Sequence, residues 1–412
     1  MRLIKLATLI TALCTSSITT AETLRFTVWT GGKAHLDMLN KFSEGFKETH
    51  PDVNVKFETI PFADYVQKVS IQISGNNPPD LGWMLESSAP TFIDAKVLSD
   101  VSATLKETAN YDYGDFSQSA MELWVRDKEV YGIPFSTSPL VVFYNQDMLE
   151  QNGLTNPNEL VQKGEWTWDR FKTMAAKMTN KSAGVYGFET MDGNGYDSRV
   201  WETILPIIRS YGSDAWIDNK CDLDSKESIE AVSLYHEMVY TDQSAVPPGE
   251  SADFFNAKAG LTITQISRTT KLDDASFKWG IAPMPSGPDG ASPIIGQAAV
   301  VVFKDSPNKK LAQEFLAYMT NKVGIETMAE FFPPARNSVL NSQAFLTSNP
   351  RLNADAMKIV ADGINTGNVL PAHSKMAAIK SSTKGIFDEL WKDDANIEKT
   401  MNKICSRIDK HL

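Results

Sequence analysis

Near the N-terminus, segments with an apolar residue at every second position alternate with segments whose apolar residues recur every three or four positions. In residues 24–29 and 53–57 every second residue is apolar, as in a strand with one buried face. Between them, residues 36–46 repeat apolar side chains at spacings of three and four, which is typical of a helix. A second helical stretch over 64–73 and a short apolar run over 81–85 follow. This strand–helix–strand–helix–strand order predicts a mostly parallel sheet covered by helices, the α/β class.

The same signals return along the rest of the chain. Further strands are predicted at residues 140–144, 185–188, 260–264, 278–282 and 298–303. Thr167 is a predicted helix N-cap, with Trp166 and Phe171 placed to form a hydrophobic staple. Ser306 and Pro307 predict another helix start, and the chain from residue 353 onward is mostly helical in pattern. At 412 residues the chain exceeds what one core usually organises, so two lobes are expected.

The first 21 residues have a different character from the rest. Arg2 and Lys5 precede an apolar run over residues 6–13, and small polar residues then lead to Ala21. This pattern predicts a secretory signal removed after Ala21. The alternative is an anchor helix, but the run is shorter than the ~20 residues that span a bilayer. No later apolar run reaches that length, so direct membrane insertion is not expected.

Charge and cysteine content limit the expected partners and indicate where a disulfide could form. The chain has 40 Lys and Arg against 51 Asp and Glu, a net charge of −11, and it has no dense basic run. Nucleic acid is therefore not an expected partner. Cys221 and Cys405 follow the signal segment, and an oxidising compartment would let them pair if the fold brings them together. Two separate buried thiols are the alternative, since pairing needs Cα atoms within ~7 Å.

The motifs of common hydrolases and metal sites are incomplete. His236 and Glu237 begin like a zinc-protease helix, but Tyr240 stands where the second histidine is needed. Asp218, Asp222 and Asp224 resemble a calcium loop only faintly. No metal, no cofactor and no enzymatic activity are predicted. An exported carbohydrate-active hydrolase stays as the alternative, because a glycosidase needs only two suitably spaced carboxylates.

A series of short motifs spans nearly the whole chain. The motifs lie at residues 26–30, 46–53, 79–81, 130–134, 142–149, 153–154, 165–171, 259–262, 279–285 and 334–338. In this order they resemble the extracellular solute-binding proteins of family 1, the periplasmic sugar-binding components of ABC importers. Each motif alone is weak, and the order is what makes the resemblance specific for the family.

The resemblance implies a periplasmic-binding-protein-like fold. Two α/β lobes would be joined by three hinge crossings, with the ligand cleft between them. The crossings are predicted near residues 135–138, 293–297 and 344–347. Lobe 1 would hold residues 22–136 plus 297–346, and lobe 2 residues 139–294 plus 347–412. Hinge closure would trap a mono- or oligosaccharide, and the loaded monomer would deliver it to membrane permease subunits.

Candidate ligand contacts in lobe 1 follow the strand ends, where ligands of open α/β sheets bind. Sugar sites combine aromatic faces with planar polar groups. The candidates are Thr30, Gly31, Lys33, Tyr65, Trp83, Glu86 and Ser136. Five of them have a structural alternative: Gly31 in a tight turn, Tyr65 and Trp83 in the core, Glu86 as a helix cap, and Ser136 in the hinge backbone.

Further candidate ligand contacts follow other strands, lie at a predicted crossing or belong to one of the motifs above. They are Asp192, Asn194, Tyr196, Trp201, Gln265, Ser267, Arg268, Gly296, Gln297 and Arg336. Arg336 can donate to vicinal hydroxyls or to a carboxylate, and a structural salt bridge is its alternative. Lys33, Arg268 and Arg336 together raise a second possibility, an anionic ligand such as a sugar phosphate, a sulfonated sugar or a uronic acid. A neutral carbohydrate is the leading prediction.

Overall fold

A computed structural model describes residues 22–190 and 198–412, except for the side chains of Ser119 and Ser198. The predicted signal segment, residues 1–21, lies outside the described residues. The strands are β1 (Glu22–Val28), β2 (Val53–Thr59), β3 (Leu81–Leu85), β4 (Val125–Arg126), β5 (Glu129–Val130), β6 (Ile133–Pro139), β7 (Val141–Asn145), β8 (Tyr186–Thr190), β9 (Trp216–Ile217), β10 (Lys220–Cys221), β11 (Ala259–Thr264), β12 (Trp279–Ala282), β13 (Ser286–Gly287), β14 (Gly290–Ala291), β15 (Ile294–Val302) and β16 (Asn368–Val369).

Helices connect most of these strands. They are α1 (Lys33–Phe46), α2 (Tyr65–Ser74), α3 (Ala89–Asp94), α4 (Ser102–Glu107), α5 (Gln118–Met121), α6 (Gln146–Gln151), α7 (Pro157–Gln162), α8 (Trp168–Met178), α9 (Leu205–Ser210), α10 (Lys226–Tyr240), α11 (Lys309–Thr320), α12 (Lys322–Met328), α13 (Asn337–Leu340), α14 (Gln343–Leu346), α15 (Ala354–Thr366), α16 (Met376–Phe387) and α17 (Ile397–Ile408). A π-helical stretch, Ser198–Ile204, leads into α9, and 3-10 turns occur at Phe62–Asp64 and Ile266–Leu272.

The first lobe is built on a six-stranded sheet in the order β16-β15-β3-β1-β2, with β6 paired to β15. β1 is parallel to both β2 and β3, which confirms the α/β order predicted for the N-terminal region. β15 runs antiparallel to β3 and to β6. The carboxyl ends of β1, β2 and β3 therefore share one edge of the sheet, the edge at which ligands of such sheets bind.

The second lobe is built on a four-stranded sheet in the order β12-β7-β11-β8. Successive side chains of β7 point to opposite faces, since Val142 and Tyr144 join one buried cluster and Val141 and Phe143 join another. Every residue of β7 is buried. Both faces of this sheet are therefore covered, and the strand reads as a continuous apolar run for that reason.

The buried side chains divide between the lobes along the chain. The first core draws on residues 24–135 and 298–339, and the main core of the second lobe on residues 140–294 and 376–408. The chain leaves the first sheet at the end of β6, enters the second at β7 and returns at β15. The exact lobe boundaries and the three crossings stay predictions.

The predicted starts of two helices can be compared with the structure. The Thr167 hydroxyl accepts a hydrogen bond from the Arg170 backbone N–H at 3.2 Å, which confirms the predicted N-cap. The start predicted at Ser306 and Pro307 is two residues early, because α11 begins at Lys309 after Asn308. The Ser306 hydroxyl instead donates to Asp80 at 2.5 Å and accepts from the Asn308 N–H, which ties this turn to the first sheet.

The two cysteines that the sequence left open form a disulfide. Cys221 in β10 and Cys405 in α17 are bonded, with Cα atoms 5.2 Å apart and 184 residues between them in sequence. The bond joins the β9–β10 hairpin to the C-terminal helix within the second lobe. Within residues 22–190 and 198–412, no helix is both long and apolar enough to cross a membrane.

Candidate functional site

The ends of β1 and β2 place two of the predicted residues. Val28 pairs with Thr59, and the Ile60 N–H donates to the Val28 carbonyl at 2.9 Å, so the two chains stay side by side beyond the strands. Gly31 follows at this edge, where a Cβ would lie 3.6 Å from the Thr59 methyl group. The Thr30 hydroxyl is 2.9 Å from Nδ1 of His35. Thr30 and Gly31 therefore lie at the strand-end edge, as predicted.

Lys33 lies at the start of α1 and faces solvent. Its side chain is 87% exposed, and its ammonium group forms an ion pair with Asp37 one turn later, at 2.5 Å. An exposed pair of this kind contributes little to stability. Its charge is also already balanced by that neighbour, so Lys33 adds little positive potential to a ligand site.

Tyr65 and Trp83 belong to the aromatic core of the first lobe. The Tyr65 hydroxyl donates to the Thr27 carbonyl at 2.9 Å, and burial raises the pKa of this hydroxyl. Trp83 is fully buried, and its ring packs against Trp29 and Phe135 at centroid distances of 5.0 and 4.9 Å. This corrects the prediction that both rings offer a face to a ligand, because packing takes up the faces of Trp83 and a carbonyl takes up the Tyr65 hydroxyl. The indole N–H of Trp83 still has no hydrogen-bond partner among the described residues.

Glu86 lies just beyond β3 and is buried where the two lobes meet. Its Oε2 accepts a hydrogen bond from the Gln297 backbone N–H at 2.8 Å. Burial raises the pKa of Glu86 to about 7, and the hydrogen bond from Gln297 opposes that rise. Glu202 and Lys380 of the second lobe also act on this carboxyl group, the first raising and the second lowering its pKa. Glu86 is thus a titratable group facing both lobes, and the helix-cap alternative does not describe it.

β15 and β6 carry three further candidates. The Gln297 side chain turns into the first lobe, where its Nε2 donates to the Ala120 carbonyl at 3.0 Å and its Oε1 accepts from Trp124 at 3.1 Å. This corrects the prediction of a ligand contact by that amide. Ser136 is buried and pairs with Ala298 in the adjacent strand.

Gly296 lies next to the amide of Gln265, which follows β11 in the second lobe. A Cβ at position 296 would collide with the Gln265 Nε2 atom. Glycine is therefore what lets a side chain of the second lobe lie against a strand of the first sheet. The structure brings these two predicted residues together.

The remaining candidates of the second lobe differ in their surroundings. Trp201 is buried in the second core, near Trp216. Ser267 and Arg268 are half-buried on the 3-10 turn after β11, and the positive charge of Arg268 helps lower the pKa of His35 in the first lobe. Arg268 thus acts across the junction between the lobes. Three further predicted residues lie outside the described residues, namely Asp192, Asn194 and Tyr196.

Arg336 is a structural residue, which corrects the prediction of a ligand contact. The side chain is fully buried, and its guanidinium group donates to the carbonyls of Thr320, Asp112 and Tyr111 at 3.0, 2.9 and 2.7 Å. It also pairs with Asp115 at 3.4 Å. The salt-bridge alternative describes this residue, because its donors are directed at atoms of its own lobe.

Several buried polar atoms have no hydrogen-bond partner in the described part of the chain. They are Trp83 Nε1, Thr137 Oγ1, Ser138 Oγ, His35 Nε2 and Trp201 Nε1. Thr137 and Ser138 pair with Gln297 and Gly296, so their hydroxyls lie at the strands that join the lobes. An unpaired buried polar group is costly unless another molecule satisfies it. The hydroxyls at these joining strands are therefore left for a polar ligand.

Sequence reasoning did not select several of these residues. Burial lowers the pKa of His35 to about 4, and its ring lies 4.6 Å from that of Phe331. Its neighbour Lys33 was selected instead, because a cation is more conspicuous than a neutral imidazole. Glu202 and Lys380 lie on helical segments with no motif, and only the packing of the second lobe against Glu86 identifies them.

Among the residues that the structure describes, no three His, Cys, Asp or Glu side chains gather as a metal site. His236 of the incomplete zinc-protease pattern donates from Nε2 to the Lys392 carbonyl at 2.8 Å.

Two α/β lobes that meet at shared strands, with polar groups at the junction, are the architecture of two-lobed ligand-binding proteins. Residues 36–325 match the sequence profile described as bacterial extracellular solute-binding protein, and the chain belongs to this family. This confirms the family that the ordered motifs indicated.

Curated relatives and solved structures agree with this assignment. An arabinooligosaccharide-binding protein of Halalkalibacterium halodurans is 24% identical, covering 93% of this chain and 88% of its own. A maltotriose-binding protein of Pyrococcus abyssi is 22% identical, with 92% and 80% covered. An ABC substrate-binding protein of Listeria monocytogenes in complex with cycloalternan has a TM-score of 0.81 at 21% identity, with 94% and 98% covered. The periplasmic-binding-protein-like fold is confirmed by this likeness.

Proposed function

We propose that this protein captures a neutral carbohydrate between its two lobes and delivers it to the permease of an ABC importer. The observation that carries the proposal is the pair of buried hydroxyls of Thr137 and Ser138, which have no hydrogen-bond partner among the described residues and lie on the strand that joins the lobes. A ligand that satisfies groups of both lobes at once stabilises the closed arrangement over the open one. The importer can then distinguish the loaded protein from the empty one.

The chemistry at the junction supports a neutral ligand over an anionic one. Of the three cations that suggested an anion, Lys33 is paired at the surface and Arg336 is enclosed in the first lobe. Arg268 remains, and the carboxyl groups of Glu86 and Glu202 lie at the same junction. Hydroxyl-rich ligands use such mixed donors and acceptors without requiring a net positive site.

Relatives with sugar ligands strengthen the carbohydrate assignment. Curated relatives include binding proteins for arabinooligosaccharides and maltotriose, and the structural neighbours include a maltose-bound protein with a TM-score of 0.80. We extend this ligand class to the present chain. A periplasmic location after removal of residues 1–21, a monomeric state and permease subunits as partners belong to the same proposal.

Thermal unfolding of residues 22–412 with a panel of sugars tests the ligand class. The panel holds neutral, acidic and phosphorylated sugars, with amino acids as controls. Selective binding to the folded state raises the unfolding midpoint, and a sugar at 100 times its Kd stabilises by about 2.7 kcal/mol. A rise with neutral sugars is expected. A rise confined to phosphorylated or acidic sugars would favour the anionic ligand, and no rise with any sugar would refute the carbohydrate proposal.

A second measurement separates binding from hydrolysis. A binding protein returns its sugar unchanged after prolonged incubation and binds it stoichiometrically, whereas a glycosidase releases products. We expect chromatography to recover the intact sugar. Recovery of shorter products would replace the proposal with the exported hydrolase.

A further inference from the structure

An exposed aromatic side chain lies at the outer end of the strand edge described above. Phe62 is 55% exposed and begins the 3-10 turn that follows β2. Its ring meets the half-buried ring of Trp29, which follows β1, at 5.9 Å between centroids and an angle of 82°. Trp29 in turn meets Trp83 at 5.0 Å. The aromatic series Phe62–Trp29–Trp83 therefore runs from solvent to the core along one sheet edge.

The backbone holds Phe62 in this position. The hydrogen bond from the Ile60 N–H to the Val28 carbonyl keeps the chain after β2 beside the end of β1. Pro61 then directs the turn, which closes through a bond from the Asp64 N–H to the Pro61 carbonyl at 3.0 Å. Phe62 is therefore presented at the strand-end edge by a defined turn, although it takes no part in the buried core of the first lobe.

The sheet order sets the length of this edge. β3, β1 and β2 are adjacent, so the end of β3, which Glu86 follows, and the end of β2, which precedes Phe62, are separated by two strand spacings, about 10 Å. Such a distance exceeds the width of a single sugar ring. A ligand that engages Glu86 at the junction and also reaches Phe62 needs more than one ring.

The chemistry along the edge suits a sugar chain. Aromatic faces cover the apolar C–H surface of a sugar ring, and polar groups beside them bind its hydroxyls. The carboxylate of Asp64 is half exposed two residues after Phe62, in a loose ion pair with Lys68 at 3.7 Å. Gly31 leaves the space beside Thr59 free of a side chain.

We infer that Phe62 and Trp29 form an outer subsite for a second sugar ring, so that the ligand is a neutral oligosaccharide. The inference rests on the proposed carbohydrate function and specifies its substrate. The inner ring lies at the junction near Glu86, and the outer ring packs on Phe62. The exposed side chain of Phe62 at the rim of the site then determines the preference for longer ligands.

Isothermal titration calorimetry with two homologous series tests the inference. One series is glucose, maltose and maltotriose, and the other is arabinose, arabinobiose and arabinotriose. The proteins are the wild type, Phe62→Ala and Phe62→Tyr, with Val323→Ala as the matched control. Val323 is an apolar side chain of the first lobe, 69% exposed and outside the aromatic series.

We expect the wild type to bind the disaccharide or trisaccharide of one series more tightly than its monosaccharide. Phe62→Ala should weaken oligosaccharide binding by about five- to tenfold and leave monosaccharide binding unchanged. Phe62→Tyr and Val323→Ala should match the wild type. Equal loss for all ring numbers, or no loss for any, would overturn the outer subsite.

Two other results separate this inference from the function on which it rests. If the wild type binds a monosaccharide as tightly as the longer sugars, the protein still binds carbohydrate and the outer subsite is wrong. If the wild type binds no sugar of either series and the unfolding midpoint rises with amino acids but with no sugar of the panel, the carbohydrate function fails and the subsite fails with it.

Discussion

At the scale of single residues, burial decides what a charged side chain does. Glu86 and Arg336 both look like ligand contacts in the sequence. In the structure Glu86 lies between the lobes with its pKa raised, whereas Arg336 is enclosed by carbonyl groups of one lobe. At both positions, the residue type and the local sequence pattern are compatible with either a ligand contact or a structural role. The neighbours that distinguish them come from distant parts of the chain.

Replacing Glu86 changes how stability depends on pH. The pKa of this carboxyl group is 4.5 in the unfolded chain and about 7 in the folded protein, so the folded state holds a proton that the unfolded state releases. The free energy of unfolding therefore falls as the pH rises through this window, by about 3 kcal/mol in all. Glu86→Gln should remove this contribution and be more stable than the wild type at pH 8, with little difference at pH 4.5.

Urea unfolding of both proteins at several pH values checks this prediction. His35 acts in the opposite direction, because its pKa is lowered to about 4 by burial and its contribution to stability is lost as the pH falls below 6.5. The difference between variant and wild type cancels that effect. A difference that does not change with pH would show that Glu86 does not titrate in this window.

Replacing Arg336 should cost stability without a specific loss of binding. Arg336→Met removes the donors to three carbonyls and leaves Asp115 without its buried partner, and the expected loss is about 3–5 kcal/mol. The control is Arg126→Met, which breaks an exposed ion pair with Asp94 and should change stability by less than about 1 kcal/mol. Urea unfolding measures both. Lost sugar binding at unchanged stability would return Arg336 to the ligand site.

At the scale of elements, local patterns were reliable where one face of a helix or strand is buried. β1, α1, β2, α2 and β3 lie where the hydrophobic periods place them, and the Thr167 cap starts α8. The start of α11 was misplaced because Ser306 is bonded to Asp80, a contact between residues 226 positions apart. The cysteine pair is similar, since no local pattern reports on two elements 184 residues apart.

The disulfide should stabilise the second lobe substantially. Closing a loop of 184 residues restricts the unfolded chain, and native disulfides of this kind contribute about 2–5 kcal/mol. We expect a variant with Cys221→Ser and Cys405→Ser to unfold at lower urea concentration by that amount. Reductant should destabilise the wild type similarly and leave the variant unaffected. Equal stability of variant and wild type would contradict this contribution.

At the scale of the whole molecule, the site depends on the contact between the two lobes, each with its own buried core. The Thr91 hydroxyl of α3 donates to the Ser374 carbonyl of the second lobe at 2.9 Å, and Gln265 lies against Gly296. A ligand that strengthens these contacts shifts the population toward closure.

A methyl group at position 296 should weaken sugar binding through Gln265. Gly296→Ala places a Cβ where the Gln265 amide lies, so the amide must move away from the junction. The loss of one hydrogen bond predicts about two- to twelvefold weaker binding of the sugar found in the panel. Gly385→Ala is the control, because the space around Gly385 in α16 is open.

A double-mutant cycle gives this prediction its sharpest form. In a Gln265→Ala background the amide is absent, so Gly296→Ala should cause no further loss. Calorimetry of the four proteins measures the coupling. The same loss from Gly296→Ala in both backgrounds would show that it acts through the strand rather than through Gln265.

The sequence by itself determined the α/β class, the family and the strand ends at which Thr30, Gly31 and Glu86 lie, because hydrophobic period and short motifs are local properties. Only the tertiary structure decided that Cys221 pairs with Cys405, that Arg336 is structural and that Gln265 meets Gly296. Each of these depends on contacts between residues far apart in the chain. The packing of two lobes sets such contacts, and with them the burial and charge environment that turn a candidate residue into a binding or a structural one.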